Sequence, residues 1–273
     1  MLPKPKFTVL DDALYDYLLA QRTPGDDDVV RELREETAKL GDWAVMQISP
    51  DQATLLRMLV SLIGARRAIE VGTFTGFSAL SIARGLRPGG RLLCLDVSEE
   101  WTAVARRAWK KAGVDGRIEL RIAPALETLR RLPLEPQFDF AFVDADKKGY
   151  VAYWDEIVRR VRPGGLIAVD NVLWEGDVVR PEEQGEDVVA IRRFNERVLT
   201  DERVESVMLA IADGLTLARK LPDAAGQLRR RPLSANPARR GTRRAAGRRG
   251  TAPADTRRRG SATTRPSRRR RAS

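Results

Sequence analysis

The chain of 273 residues holds one cysteine and no histidine, which excludes a disulfide framework, a Ser/His/Asp triad, a Cys/His dyad and a histidine-bound zinc. Its formal charge of +11 divides unevenly: residues 222–273 carry 17 arginines, no lysine and two aspartates, a net +15, and leave residues 1–221 at −4. The basic segment has only Leu228 and Leu233 as large apolar residues, so it cannot offset its ordering entropy and is expected to be a disordered tail behind a folded domain over 1–221.

The first helix is expected where Leu14, Tyr17 and Leu18 share a face. After the Thr23-Pro24-Gly25 turn a second covers 27–40, acidic at its start and closed by Gly41, and a third amphipathic run covers 50–62. Apolar strands then recur at 68–71, 91–95, 117–122, 138–143 and 166–169, each followed by a helix-like segment. This alternation predicts a doubly wound α/β fold with a mostly parallel sheet. Segments 205–211 and 215–219 flank Asp213-Gly214, a hairpin signal that places an antiparallel strand at the sheet edge. The start of the chain has no secretory leader pattern and no long apolar run follows, so a cytoplasmic protein with no membrane contact is expected.

In such a sheet, function gathers at the carboxyl ends of the strands. The first strand ends in Glu70-Val71-Gly72-Thr73-Phe74-Thr75-Gly76-Phe77-Ser78, where two glycines allow a tight turn and a helix start offers free N–H groups to an anion. The second ends in Asp96, a carboxylate suited to ribose hydroxyls. The turn lacks the three-glycine pyrophosphate pattern, so the ligand read from it is a nucleoside without pyrophosphate, S-adenosylmethionine first. The fourth and fifth strands end in Asp144-Ala145-Asp146-Lys147 and Asp170-Asn171. Three oxygen donors with no sulfur or nitrogen suit a hard cation, Mg²⁺ first and Ca²⁺ or Mn²⁺ next, although any one of them alone could simply cap a helix.

At these residues the sequence resembles the bacterial type of cation-dependent, S-adenosylmethionine-using O-methyltransferases related to caffeoyl-CoA and catechol O-methyltransferases. The match is carried by Met46-Gln47-Ile48-Ser49-Pro50, EVGTFTGFSAL from Glu70, KAGVDGRIEL from Lys111, FDFAFVDADKKGY from Phe138, RPGGLIAVDNVLWEG from Arg162, Phe194-Asn195, and DGLTLARK from Asp213. It spans about residues 40–220, and the basic tail has no counterpart. The resemblance implies the Rossmann-like class I methyltransferase fold, a seven-stranded sheet, and a homodimer. It implies that Glu70, Gly72, Thr73 and Ser78 hold the methionine end of the cofactor, Asp96 its ribose and Ala125 its adenine surroundings. Met46 would lie near the sulfonium, with Asp144 and Asp146 also close to the cofactor. It assigns Asp144, Asp170 and Asn171 to the metal, Lys147 with Asp144 to catalysis, and Trp174 to the acceptor wall.

The chemistry expected from that assignment is methyl transfer to a catechol-like hydroxyl. A phenol ionises near pH 10, and a divalent cation stabilises its phenolate while neutral Lys147 could accept the proton. A second, vicinal hydroxyl would chelate the same ion. Two alternatives stay open on sequence grounds: methylation of a hydroxylated base in tRNA, with the arginine-rich tail holding phosphates, and a nucleic-acid-binding protein in which the sheet is only a scaffold. The tail's low complexity also fits a C-terminus foreign to the domain.

Overall fold

The computed structural model describes residues 8–222. The expected disordered tail lies, apart from Pro222, outside the described residues. Helices α1 (Asp12–Ala20), α2 (Asp28–Ala38) and α3 (Pro50–Leu62) precede the sheet. Asp11 and Asp27 cap α1 and α2 by accepting from Leu14 N at 2.9 Å and Val30 N at 3.0 Å, and Pro50 opens α3, where its missing N–H costs nothing.

Seven strands follow: β1 (Arg67–Val71), β2 (Arg91–Asp96), β3 (Ile118–Ile122), β4 (Phe138–Val143), β5 (Val161–Val169), β6 (Val204–Leu209) and β7 (Leu215–Lys220), in the order β3-β2-β1-β4-β5-β7-β6. β1 to β5 pair in parallel, and their crossovers are α4 (Phe77–Gly85), α5 (Glu99–Lys111), α6 (Ala125–Arg131) and α7 (Tyr150–Arg160). After α8 (Glu186–Leu199), the predicted hairpin closes that edge of the sheet: β7 runs against both β5 and β6, and β6 lies outermost. β5 starts five residues earlier than its apolar run suggests, because Val161 already pairs with Phe138 before a register shift carries the ladder to Phe140–Leu166. Arg162-Pro163-Gly164-Gly165 fills that irregular stretch, which is why no apolar pattern marks it.

The twofold alternation of strand side chains sorts the core into two layers. Ala68, Leu92, Cys94, Phe140 and Phe142 pack with Leu33, Leu56, Val60 and Leu80. Ile69, Val71, Leu95, Ala141, Val143 and Val169 pack on the opposite face with Trp154, Ile157 and Phe194. The same alternation puts Glu70 on the first face, a carboxylate with no exposed surface among apolar neighbours. Just before β6, Trp154 Nε1 donates to buried Asp201 at 2.9 Å, and Arg203 beside that carboxylate holds it far below the usual range against the cost of burial. Among the described residues no helix is long and apolar enough to cross a membrane.

Candidate active site

Strand order reverses between β1 and β4, and the carboxyl ends of β1, β2, β4 and β5 are stitched to one another there. Gly72 N donates to Leu95 O at 2.9 Å, Asp144 N to Val71 O at 2.9 Å and Asp170 N to Val143 O at 3.0 Å. Gly72 has φ +85°, and a Cβ on it would meet the Asp144 carbonyl oxygen at 1.8 Å, so the turn passes where only glycine fits. Asp96 closes it from the other side: one carboxylate oxygen accepts from Thr73 N at 2.8 Å and Phe74 N at 2.9 Å, the other from Val97 N at 2.7 Å and Ser98 N at 2.8 Å. The residue read as a ribose ligand is therefore also the clasp that shapes the glycine turn. Sequence reasoning missed this second role, because a contact between residues 70–74 and 96 depends on β1 and β2 being adjacent.

Inside the turn, Glu70 Oε2 accepts from Thr73 Oγ1 at 3.2 Å and Cys94 Sγ at 3.4 Å, while the buried Oε1 completes no hydrogen bond among the described residues. Burial pushes the Glu70 carboxyl up to about 8, outweighing the hydroxyl and thiol groups of Ser78, Cys94 and Thr73. An unpartnered acidic oxygen beside a glycine cradle fits a ligand with a cationic amine, the chemistry of an amino-acid terminus. Ser78 is buried in the first turn of α4, and Ala125 is the buried first residue of α6. Met46, exposed, ends the 3₁₀ turn Gly41–Met46. Gln47 next to it donates to Thr37 Oγ1 at 2.8 Å and to Thr75 Oγ1 at 3.1 Å, which ties this segment to the glycine turn.

The ends of β4 and β5 bring acids, amide and amine together. Lys147 Nζ donates to Asp144 Oδ1 at 3.1 Å, to Asn171 Oδ1 at 2.8 Å and to the Tyr150 hydroxyl at 2.6 Å. The Asp170 carboxyl is buried beside them; burial first, then repulsion from Asp144, pushes it well above the ordinary carboxylate range. Its Oδ1 accepts from Asn171 N at 2.8 Å, and Asn171 holds a left-handed backbone with φ +53°. Gln52 of α3 is buried near Asp170, with neither amide atom completing a hydrogen bond among the described residues. Trp174 closes the group, its ring 5.8 Å from Lys147 Nζ. Asp144, Lys147, Asn171 and Trp174 thus converge on one point with Asp170 alongside. Asp146 faces elsewhere: it is exposed, and its oxygens accept from Tyr153 Oη at 2.5 Å and Gly149 N at 2.9 Å.

The donor set is two carboxylates and an amide; among the described residues no group of three or more His, Cys, Asp or Glu gathers as a metal site. Tyr150 was not singled out from sequence, although its spacing of three from Lys147 puts it within reach of the lysine at the start of a helix. A cavity of about 300 Å³ lined by Arg67, Arg91, Glu119, Arg121 and Phe138 lies at the opposite, amino ends of the strands and contains none of these groups.

This geometry agrees with what the chain is similar to. A family model described as O-methyltransferase matches residues 21–221. The chain belongs to the O-methyltransferase family. It is 40% identical over 198 residues to a probable caffeoyl-CoA O-methyltransferase 1 of Dictyostelium discoideum, covering 71% of this chain and 86% of the relative. It is 40% identical over 214 residues to catechol O-methyltransferase domain-containing protein 1 of Mus musculus, covering 77% and 81%. The O-methyltransferase of Bacillus cereus, solved in complex with SAH, superposes with a TM-score of 0.70 at 34% identity, covering 76% of this chain and 97% of that one. The protein is an S-adenosylmethionine-dependent O-methyltransferase with the class I methyltransferase fold.

Proposed function

We propose that this methyltransferase transfers the methyl group of S-adenosylmethionine to one hydroxyl of a small vicinal diphenol, with a divalent cation, Mg²⁺ first, held by Asp144, Asp170 and Asn171. The observation that carries the reading is the meeting of Asp144 Oδ1 and Asn171 Oδ1 on one ammonium beside the buried Asp170 carboxyl. A cluster of hard oxygen atoms that already holds a cationic group in place suits a hard metal ion. The relatives named for caffeoyl-CoA and catechol support an aromatic hydroxyl as acceptor.

When bound, the ion supplies a Lewis acid that makes a nearby hydroxyl more acidic, and the sulfonium donor supplies an activated methyl group. The remaining work belongs to the chain. Glu70 pairs through its free Oε1 with the donor's ammonium, and the Gly72–Gly76 turn with Thr73 and Ser78 lets backbone approach the carboxylate. Asp96 and Ala125 border the nucleoside, and Met46 borders the reacting end. In its neutral form Lys147 takes the acceptor's proton at Nζ, and Trp174 forms an apolar wall that orients the ring and excludes water. Holding acceptor oxygen, methyl carbon and sulfur in line removes on the order of 7–11 kcal/mol of orientational barrier.

The test is labelled-methyl transfer to a panel of vicinal diphenols, monophenols and tRNA, with Mg²⁺ and with a chelator. Transfer to diphenols that needs Mg²⁺ is expected. Equal rates on monophenols, labelling of tRNA alone, or full rates in chelator would overturn the reading.

A further inference from the structure

As an ammonium, Lys147 directs its three protons to Asp144 Oδ1, Asn171 Oδ1 and the Tyr150 hydroxyl, and as the neutral amine that accepts a proton it keeps two N–H groups to donate. Two of those partners belong to the oxygen set proposed for the metal. A divalent ion and an ammonium compete for the same lone pairs, so neither contact can be counted on to keep the lysine in place while that set is in use. The tyrosine hydroxyl does not compete. Its single proton is committed to the Asp170 carbonyl oxygen at 3.1 Å, so its lone pairs face the lysine, which donates at 2.6 Å. The ring itself is fixed: Tyr150 is fully buried, meets Phe194 edge-on with centroids 5.4 Å apart, and lies 4.8 Å from Nζ. A flexible four-carbon stem thus ends at a rigid acceptor anchored to the end of β5.

We propose that Tyr150 is a positioning residue, holding the Lys147 amine at the acceptor side of the site through a contact independent of Asp144 and Asn171. This rests on the proposed role of Lys147 as proton acceptor and adds the group that keeps it there. Asn195 supports the same corner from α8, donating to Val172 O at 2.9 Å.

Tyr150→Phe keeps the ring and its packing on Phe194 and removes only the hydroxyl. With diphenol and Mg²⁺, kcat is expected to fall about tenfold, the order for loosening a positioned proton acceptor, with KM for the methyl donor within about twofold. In a Lys147→Met background the same change is expected to alter kcat by less than about twofold, because its partner is already gone. An equal loss in both backgrounds would overturn the proposal. A second readout needs neither metal nor turnover: amine-directed labelling of the metal-free protein read by mass spectrometry, with exposed Lys148 as internal reference. Faster labelling of Lys147 relative to Lys148 in Tyr150→Phe supports the proposal, and an unchanged ratio overturns it. Full activity of Lys147→Met would instead refute the lysine's role in the reaction, while the labelling ratio still decides whether Tyr150 holds it.

Discussion

Glu70 shows what one position can impose on the behaviour of the site. Strand alternation buries it, burial raises its carboxyl to about 8, and one oxygen has no hydrogen-bond partner among the described residues. Unfolded, it would titrate near 4.5, so between about 4.5 and about 8 the folded protein binds the extra proton and this group costs stability progressively as pH rises through that window. A cationic amine favours the ionised form, so donor binding below about pH 8 should release a proton, and affinity should weaken roughly tenfold per pH unit on the acid side. Calorimetric titration of S-adenosylmethionine from pH 6 to 8 in buffers of different ionisation enthalpy measures both effects. Glu70→Gln should flatten the pH dependence, weaken binding, and raise the thermal midpoint of the donor-free protein at pH 8 more than at pH 5. An affinity independent of pH in the unsubstituted protein would remove Glu70 from contact with the amine. The sequence placed this glutamate beside a glycine turn, but its raised carboxyl depends on burial among apolar residues of neighbouring strands, against which the Cys94 thiol pulls the other way.

The element that borders the proposed acceptor side is the junction between the β6–β7 hairpin and the segment after β5. Val172 N donates to Gly214 O at 3.2 Å, Leu173 N to Asp213 O at 3.0 Å and Glu175 N to Asp213 Oδ1 at 2.7 Å. Gly214 has φ +87°, and a Cβ there would meet Leu173 Cγ at 2.4 Å, so the turn packs on the Leu173 side chain with no room for a side chain of its own. Trp174, Glu175 and Gly176 have φ of +48°, +52° and +82°, a run of left-handed residues that the hairpin contacts hold in place. Asp213→Ala should release the Glu175 amide and loosen Trp174. Acceptor KM is then expected to rise about three- to tenfold, with donor affinity within about twofold, since truncating a charged hydrogen-bond partner costs roughly 1–3 kcal/mol, part of it recovered by water. Steady-state kinetics with each substrate varied checks this, and an equal loss for donor and acceptor would contradict it. The Asp213-Gly214 pair was legible as a hairpin turn. Its grip on Trp174 was not, because that depends on β7 lying next to β5, a pairing between segments about 50 residues apart.

At the scale of the whole molecule, period-two and helical patterning were enough to read the parallel strands and their crossovers, because each is written in local apolar spacing. The uneven charge was legible too, since it needs only counting. Less legible were the groups that act across the fold: the Asp96 clasp on the glycine turn, Gln52 brought to Asp170 by α3, Tyr150 joining the ends of β4 and β5, and Trp154 bound to Asp201. Each joins segments whose nearness follows only from strand order. The oxygen set proposed for a metal ion has the same character, being assembled from the ends of two paired strands. Titration of Mn²⁺ into the metal-free protein, followed by electron paramagnetic resonance, tests it most directly. The account predicts one bound ion per chain in the unsubstituted protein and its loss in Asp170→Ala and Asn171→Ala variants that keep the same melting profile; equal binding in all three proteins, or none in any, would contradict it.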